Sequence, residues 1–318
     1  MIAEPRRHLL WPETQFEMAF RLIEPDSFRM GSRGVNIREE PIHMVRICQP
    51  FWIAETPVTQ AQFELWTDSE KIEHENHFKG CPTHPAENMD WRQAIGFCDW
   101  LNRTRGNELP SGGYNHFCLP TEAEWEYACR ATTDTEYYTG DGVAALAEAG
   151  WFDEEWGSGS THPVRGKRPN KWSLYDMHGN VLEWCHDEWD ETAYRARIDG
   201  DPDPGWKTRE NDWKLGVDHM TESDLHRVLR GGSWRSTASR CRSADRGRIE
   251  PGDRNWFLGF RVCLVCGPVA DRTDSVEPEP VDGGRGTRTE SKGAGDRETL
   301  DLTKEFLPRE AGPKVSEE

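Results

Sequence analysis

One segment near the C-terminal end limits what this chain can fold into: Arg227 to Val262, RVLRGGSWRSTASRCRSADRGRIEPGDRNWFLGFRV. Nine arginines stand there against three acids (Asp245, Glu250 and Asp253), in a 318-residue chain whose formal charge is −18. A basic island inside an acidic protein requires internal carboxylate partners or an anionic ligand. The expected partners are Glu122, Glu124, Glu126 and Asp176, because guanidinium forks pair with carboxylates and can tie irregular loops together. The alternative is an anionic or peptide-binding groove floored by Trp234, Arg242 and Trp256. Gly231 and Gly232, straight after Val228 and Leu229, mark a turn or close approach at a strand end. Gly259 to Val262 reads as a closing strand.

The rest of the composition fixes the class. Only 35% of the residues are hydrophobic, but 15 Trp and 12 Phe supply large units of buried surface, each aromatic burying roughly 150–250 Å². High Gly and Pro with few long apolar runs predicts a single irregular α+β domain. No run of about 18 apolar residues is present, so no membrane-spanning helix is expected. The N-terminus has no apolar stretch of signal-peptide length. Nine cysteines, an odd and scattered set, read as reduced thiols in a cytoplasmic protein. The acidic balance argues against nucleic acid and anionic lipid as partners.

Along the chain, residues 1–16 read as a lead-in, 17–266 as the domain, and 267–318 as an acidic tail expected to be disordered. Phe28 to Ser32 and Met44 to Ile53 read as short strands. Thr59 and Gln62 have the spacing of a capping box, as do Thr121 and Glu124, so a helix is predicted after each threonine. A third helix follows Asp90, with Ala94, Phe97, Cys98 and Leu101 on one face and Gly106 as its stop. Residues 68–88, which include His74 and His77, read as a polar loop. Residues 132–172 read as an irregular excursion, and residues 190–226 as a polar insertion.

Five stretches in order, Phe28–Ser32, Ile53–Phe63, Leu119–Ala128, Leu174–Trp184 and 229–262, resemble the formylglycine-generating enzyme family, also called sulfatase-modifying factor domains. The resemblance spans roughly residues 17–265 and implies a C-type-lectin-like fold with short twisted sheets. It also implies oxidation of a client sulfatase cysteine by O₂ and copper(I), the metal being held by two cysteines five positions apart after the Gly-Gly-Ser. Counting from Ser233, those positions are Ser236 and Cys241. Copper(I) prefers soft thiolates, so copper is not expected to be held here, although the resemblance makes Cys241 and Ser233 the candidate catalytic residues. Leu182 stands where the family usually has a pocket tryptophan.

The resemblance further implies calcium on the side chains of Asp176 and Glu183 and the carbonyls of Gly179 and Val181, hard oxygen donors that suit the ion. The same residues would also make a tight turn with Asn180 as its hydrogen-bonding corner. The expected function is that of a non-standard member. It would be a module binding a peptide or protein client, or a variant metal-dependent oxidoreductase drawing on Cys263 and Cys266. The alternative is the formylglycine-generating oxidase itself.

Overall fold

The capping boxes are where the sequence dictates local structure most directly. The computed structural model describes residues 6–11, 16–106, 114–153, 159–197, 200–203 and 225–267. In it Thr59 caps α1 (Gln60–Glu70), accepting from Gln62 N–H while the Gln62 side chain returns to the cap. Asp90 with Gln93 does the same for α2 (Trp91–Arg105), and Thr121 with Glu124 for α3 (Glu122–Arg130). The α2 stripe of Ala94, Phe97, Cys98 and Leu101 is buried as its period requires. A fourth helix, α4 (Gly142–Ala149), lies inside the predicted excursion 132–172. Its GVAALAEA sequence is alanine-rich but short, with only Leu146 and Ala149 buried, so its periodicity is weak.

Twelve strands form three sheets among the described residues. The largest, in the order β1-β2-β5-β12-β6, joins β1 (Arg6–Trp11), β2 (Phe16–Ile23), β5 (Phe51–Ala54), β12 (Cys263–Gly267) and β6 (Tyr114–Cys118). The four-stranded sheet runs β10-β9-β7-β11: β10 (Gly247–Ile249), β9 (Arg227–Arg230), β7 (Leu182–Glu188) and β11 (Leu258–Gly259). The third sheet holds β3 (Ser27–Met30), β4 (His43–Arg46) and β8 (Asp201–Pro202). Short sheets joined by long irregular segments make this an α+β fold.

Three details differ from the sequence-based expectation. Residues 6–11 pair along their length with β2. The segment 44–53 is two strands, separated at Ile47–Pro50, where proline removes a ladder donor. The closing segment is also two strands. β11 pairs with β7, β12 lies between β5 and β6, and Phe260–Val262 crosses from one sheet to the other. The acidic tail 267–318 lies outside the described residues apart from Gly267.

The crossing is held by charge inside the core. Arg261 is fully buried and grips Glu183 at two points, Nε–Oε2 2.6 Å and Nη2–Oε1 2.7 Å. Its remaining donor, Nη1, reaches the Ala54 carbonyl at 3.1 Å. Trp125 of α3 donates its indole N–H to the same carboxylate at 2.7 Å. Removing one partner of a buried ion pair strands the other, at a cost of about 3–5 kcal/mol. Glu183→Ala is therefore expected to lower the free energy of unfolding by about that amount in urea denaturation. A loss below about 1 kcal/mol, the range of exposed pairs, would show that Arg261 does not depend on it.

Candidate functional site

The Gly231-Gly232 turn builds the centre of the site. Both glycines have positive φ, +94° and +69°, a region that side chains disfavour. A Cβ on Gly232 would also lie 2.6 Å from Cys241 Sγ and 2.8 Å from the Arg240 carbonyl. The turn thus lets the chain close on itself, bringing Ser233, Ser236 and Cys241 together. Ser233 N–H donates to Ser236 Oγ at 3.0 Å, and the two hydroxyls are 3.1 Å apart. Cys241 is sealed beside Tyr137 and Leu146. Burial, with Asp245 adding to it, pushes the thiol well above its ordinary range. A buried thiol of this kind is a poor nucleophile and a poor source of thiolate.

The site therefore offers one protonated thiol and one hydroxyl, which does not fit copper(I) held by a thiolate pair. Cys263 is likewise buried, within β12, where it registers with Ile53 and Cys118. The side chain of Cys266 lies outside the described residues. Among the described residues no cysteine forms a disulfide.

The loop 176–183 packs directly beneath this turn. Gly179 N–H donates to the Gly231 carbonyl at 2.8 Å, and Trp234 N–H donates to the Asn180 carbonyl at 2.9 Å. Asn180 sits at φ +64° as the corner of the loop. Its Oδ1 accepts from His162 N–H at 3.0 Å, and its Nδ2 donates to the His162 carbonyl and to Asp176 Oδ1 at 3.1 and 3.2 Å. Asp176 Oδ2 accepts from Arg165 N–H at 2.8 Å. Burial raises the Asp176 carboxyl to about 6. With Glu183 gripped by Arg261 and Trp125, both carboxylates expected to hold calcium are engaged by protein donors. Among the described residues no three His, Cys, Asp or Glu side chains converge as a metal site. A calcium ion here would have to displace Arg261, so the donor set does not fit the ion in this geometry. Val181 and Leu182 are core residues, Leu182 donating its N–H to the Phe257 carbonyl at 2.8 Å.

The arginines separate by role. Arg230 pairs with Glu126, Arg246 grips Glu122 at 2.5 and 2.7 Å, and Arg254 pairs with Asp90 at 2.8 Å. Burial pushes the Glu122 carboxyl up, but Arg246 and Arg230 outweigh it and its pKa ends below the ordinary value. Two expected partners are otherwise occupied: Glu124 closes the α3 capping box, and Asp176 binds backbone. Arg242 is not part of a groove with Trp234 and Trp256. It is buried and forks onto Glu39, with both nitrogens at 2.7 Å.

Trp234 and Trp256 do meet, edge to face at 6.0 Å. Phe78 joins them, 5.6 Å from Trp234 and stacked on Trp256 at 6.4 Å, and the exposed His77 lies 4.3 Å from Trp256. The loop 68–88 is thus one wall of an aromatic cluster rather than only a solvated excursion. Glu87, from the same loop, is fully buried and accepts from Phe78 N–H at 2.9 Å. Its Oε2 has no partner among the described residues. Burial raises its carboxyl to about 7. The only sequence signal for this residue is an acid between Ala86 and Met89, too weak to single it out.

Comparison with known proteins identifies the family. Residues 12–265 match the family model of the sulfatase-modifying factor enzyme 1-like domain. A serine/threonine-protein kinase, pkn1, of Chlamydia caviae is 28% identical over 281 residues, 81% of this chain and 40% of that protein. The chain therefore spans less than half of that relative. The formylglycine-generating enzyme of Streptomyces coelicolor is 28% identical, covering 76% of this chain and 85% of the enzyme. Among solved structures, Treponema denticola variable protein 1 superposes with a TM-score of 0.63 at 27% identity, covering 83% of this chain and 99% of that one.

The Glu87 carboxyl gives a pH test. Its folded value, about 7, exceeds the ordinary 4.5, so between those values the folded chain holds a proton that the unfolded chain has released. Its contribution to stability is then lost as pH rises through that window. Asp187 and Asp245, raised by burial to about 7, act with the same sign. Glu87→Gln is expected to flatten the decline of Tm between about pH 4.5 and 7 while leaving part of it. An unchanged slope would reject a buried, raised Glu87.

Proposed function

The chain belongs to the sulfatase-modifying factor enzyme 1-like family, and we propose that it is a non-standard member, a module that binds a peptide or protein ligand rather than a copper oxidase. The observation that carries this is the Ser236–Cys241 pair. One position offers a hydroxyl already bonded to Ser233 N–H, the other a sealed thiol held protonated by burial. The aromatic cluster of Trp234, Trp256, Phe78 and His77 supplies a partly open, apolar surface of the composition that recognition sites favour. Among the described residues no helix is long and apolar enough to cross a membrane.

The similarity to the Streptomyces coelicolor formylglycine-generating enzyme, over 85% of its length, favours a second reading, the oxidase itself. The two readings differ in outcome. Copper-loaded protein incubated aerobically with a Cys-x-Pro-x-Arg peptide is expected to form no aldehyde by mass spectrometry. Aldehyde formation would establish the oxidase and remove the proposal. Competition with a chromogenic copper(I) chelator should show weak binding by the native chain and tighter binding by Ser236→Cys, which restores a thiol pair. Equal binding by the two would mean that position 236 does not face Cys241 productively.

A further inference from the structure

We propose that Arg235 is an anion-recognising group at the rim of the aromatic cluster, and that the ligand presents a carboxylate beside an aromatic or aliphatic body. This rests on the binding-module reading above. Arg235 is only 8% exposed. Its guanidinium carbon lies 5.9 Å from the Trp234 ring centre, 5.3 Å from Trp256 and 5.5 Å from Phe257.

What distinguishes Arg235 is that it has no hydrogen-bonding or ion-pair partner among the described residues. The other buried arginines of the segment all have one. Arg227 donates to the His186 carbonyl, Arg230 to Glu126, Arg242 to Glu39, Arg246 to Glu122 and Arg261 to Glu183. Arg235 makes no hydrogen bond or ion pair with any described residue. Asp153, whose N–H donates to the Ser236 carbonyl at 3.0 Å, acts on it electrostatically. A buried, unpartnered polar group is costly and asks for an explanation.

The geometry favours a ligand as that explanation. Three rings crowd the guanidinium, so its ring-facing sides have lost water while its edge keeps its N–H donors. A planar, two-oxygen anion meets such an edge with two parallel hydrogen bonds. The neighbouring half-buried Trp256 and Phe78 provide an apolar bed for whatever carries the anion. An acidic side chain next to an apolar residue and a C-terminal carboxylate on an apolar residue share this chemistry, and probes can separate them.

The test is calorimetric titration of the full chain with Ac-Phe-Glu-NH₂, Ac-Gly-Phe-OH and the neutral Ac-Phe-Gln-NH₂. Charge-assisted hydrogen bonds contribute about 1.5–3 kcal/mol, so one carboxylate probe should bind roughly 10–150-fold more tightly than the neutral one. The probe that does so identifies the source of the carboxylate. Arg235→Gln should abolish the preference, and Arg235→Lys, which keeps the charge without the fork, should restore part of it. If Arg235→Gln fails to fold by near-ultraviolet circular dichroism, a salt titration of the native chain replaces it, and the preference should shrink as ionic strength rises. Equal binding of charged and neutral probes, or no binding of either carboxylate, overturns the anion site. So does a preference that survives Arg235→Gln. None of these results depends on the aldehyde assay, which decides the binding-module reading separately.

Discussion

The Glu183 carboxylate is the point on which the recognisable parts of this chain converge. Arg261 reaches it from the segment that crosses between the two larger sheets, and Trp125 reaches it from α3. Arg261 also holds the end of β5 through the Ala54 carbonyl and the start of the 174–184 loop through the Tyr175 carbonyl at 3.0 Å. Taking two ions out of water costs several kcal/mol each, repaid only when geometry and additional hydrogen bonds are nearly complete. Here every guanidinium nitrogen of Arg261 has an acceptor. Such an arrangement adds less to stability than to uniqueness. A fold built of short strands and long irregular segments has few ladders to fix its register, and this carboxylate accepts the correct neighbours in one arrangement only.

The same logic explains the basic island. Glu126 receives Arg230, Arg130 and the Gly31 N–H, and Glu122 receives Arg246. All nine residues of α3 are buried, three of them glutamates. A helix so charged can enter a core only if cations arrive with it, and the closing segment supplies them. The excess of arginine at 227–261 therefore reflects structural pairing first, which leaves the exceptional arginine easy to recognise.

Features with a local cause were legible in the sequence. The capping boxes at Thr59 and Thr121 and the stripe on α2 need only neighbours three or four residues away. The pairing of the closing arginines with Glu122 and Glu126 was legible in the local excess of arginine over acid, although Glu124 and Asp176, named with them, are engaged by a capping box and by backbone. Other features depend on distant parts of the chain and left no periodic signal. Arg242 belongs to Glu39, 203 residues earlier, and no spacing rule connects them. His77 and Phe78 look like part of a solvated loop until the segment containing Trp256 is placed against them. The helix α4 is too short, and buries too little, to stand out from its surroundings.

The Gly231-Gly232 turn is set by backbone geometry rather than by any one chemistry. Its glycines are required by backbone angle and by the closeness of Cys241, whatever reaction the pocket performs. Ser236 has a defined task in that turn, since its hydroxyl accepts the Ser233 N–H, a hydrogen bond that sulfur would accept only weakly. A hydroxyl so used is committed to the backbone and has little affinity for a soft metal. Cys241, sealed against Tyr137 and Leu146, likewise acts as core rather than as ligand. Of the polar groups carried by the turn, Arg235 is the one that is buried, charged and without a partner among the described residues. The turn thus presents a hydroxyl committed to backbone, a thiol committed to the core and a guanidinium set among rings.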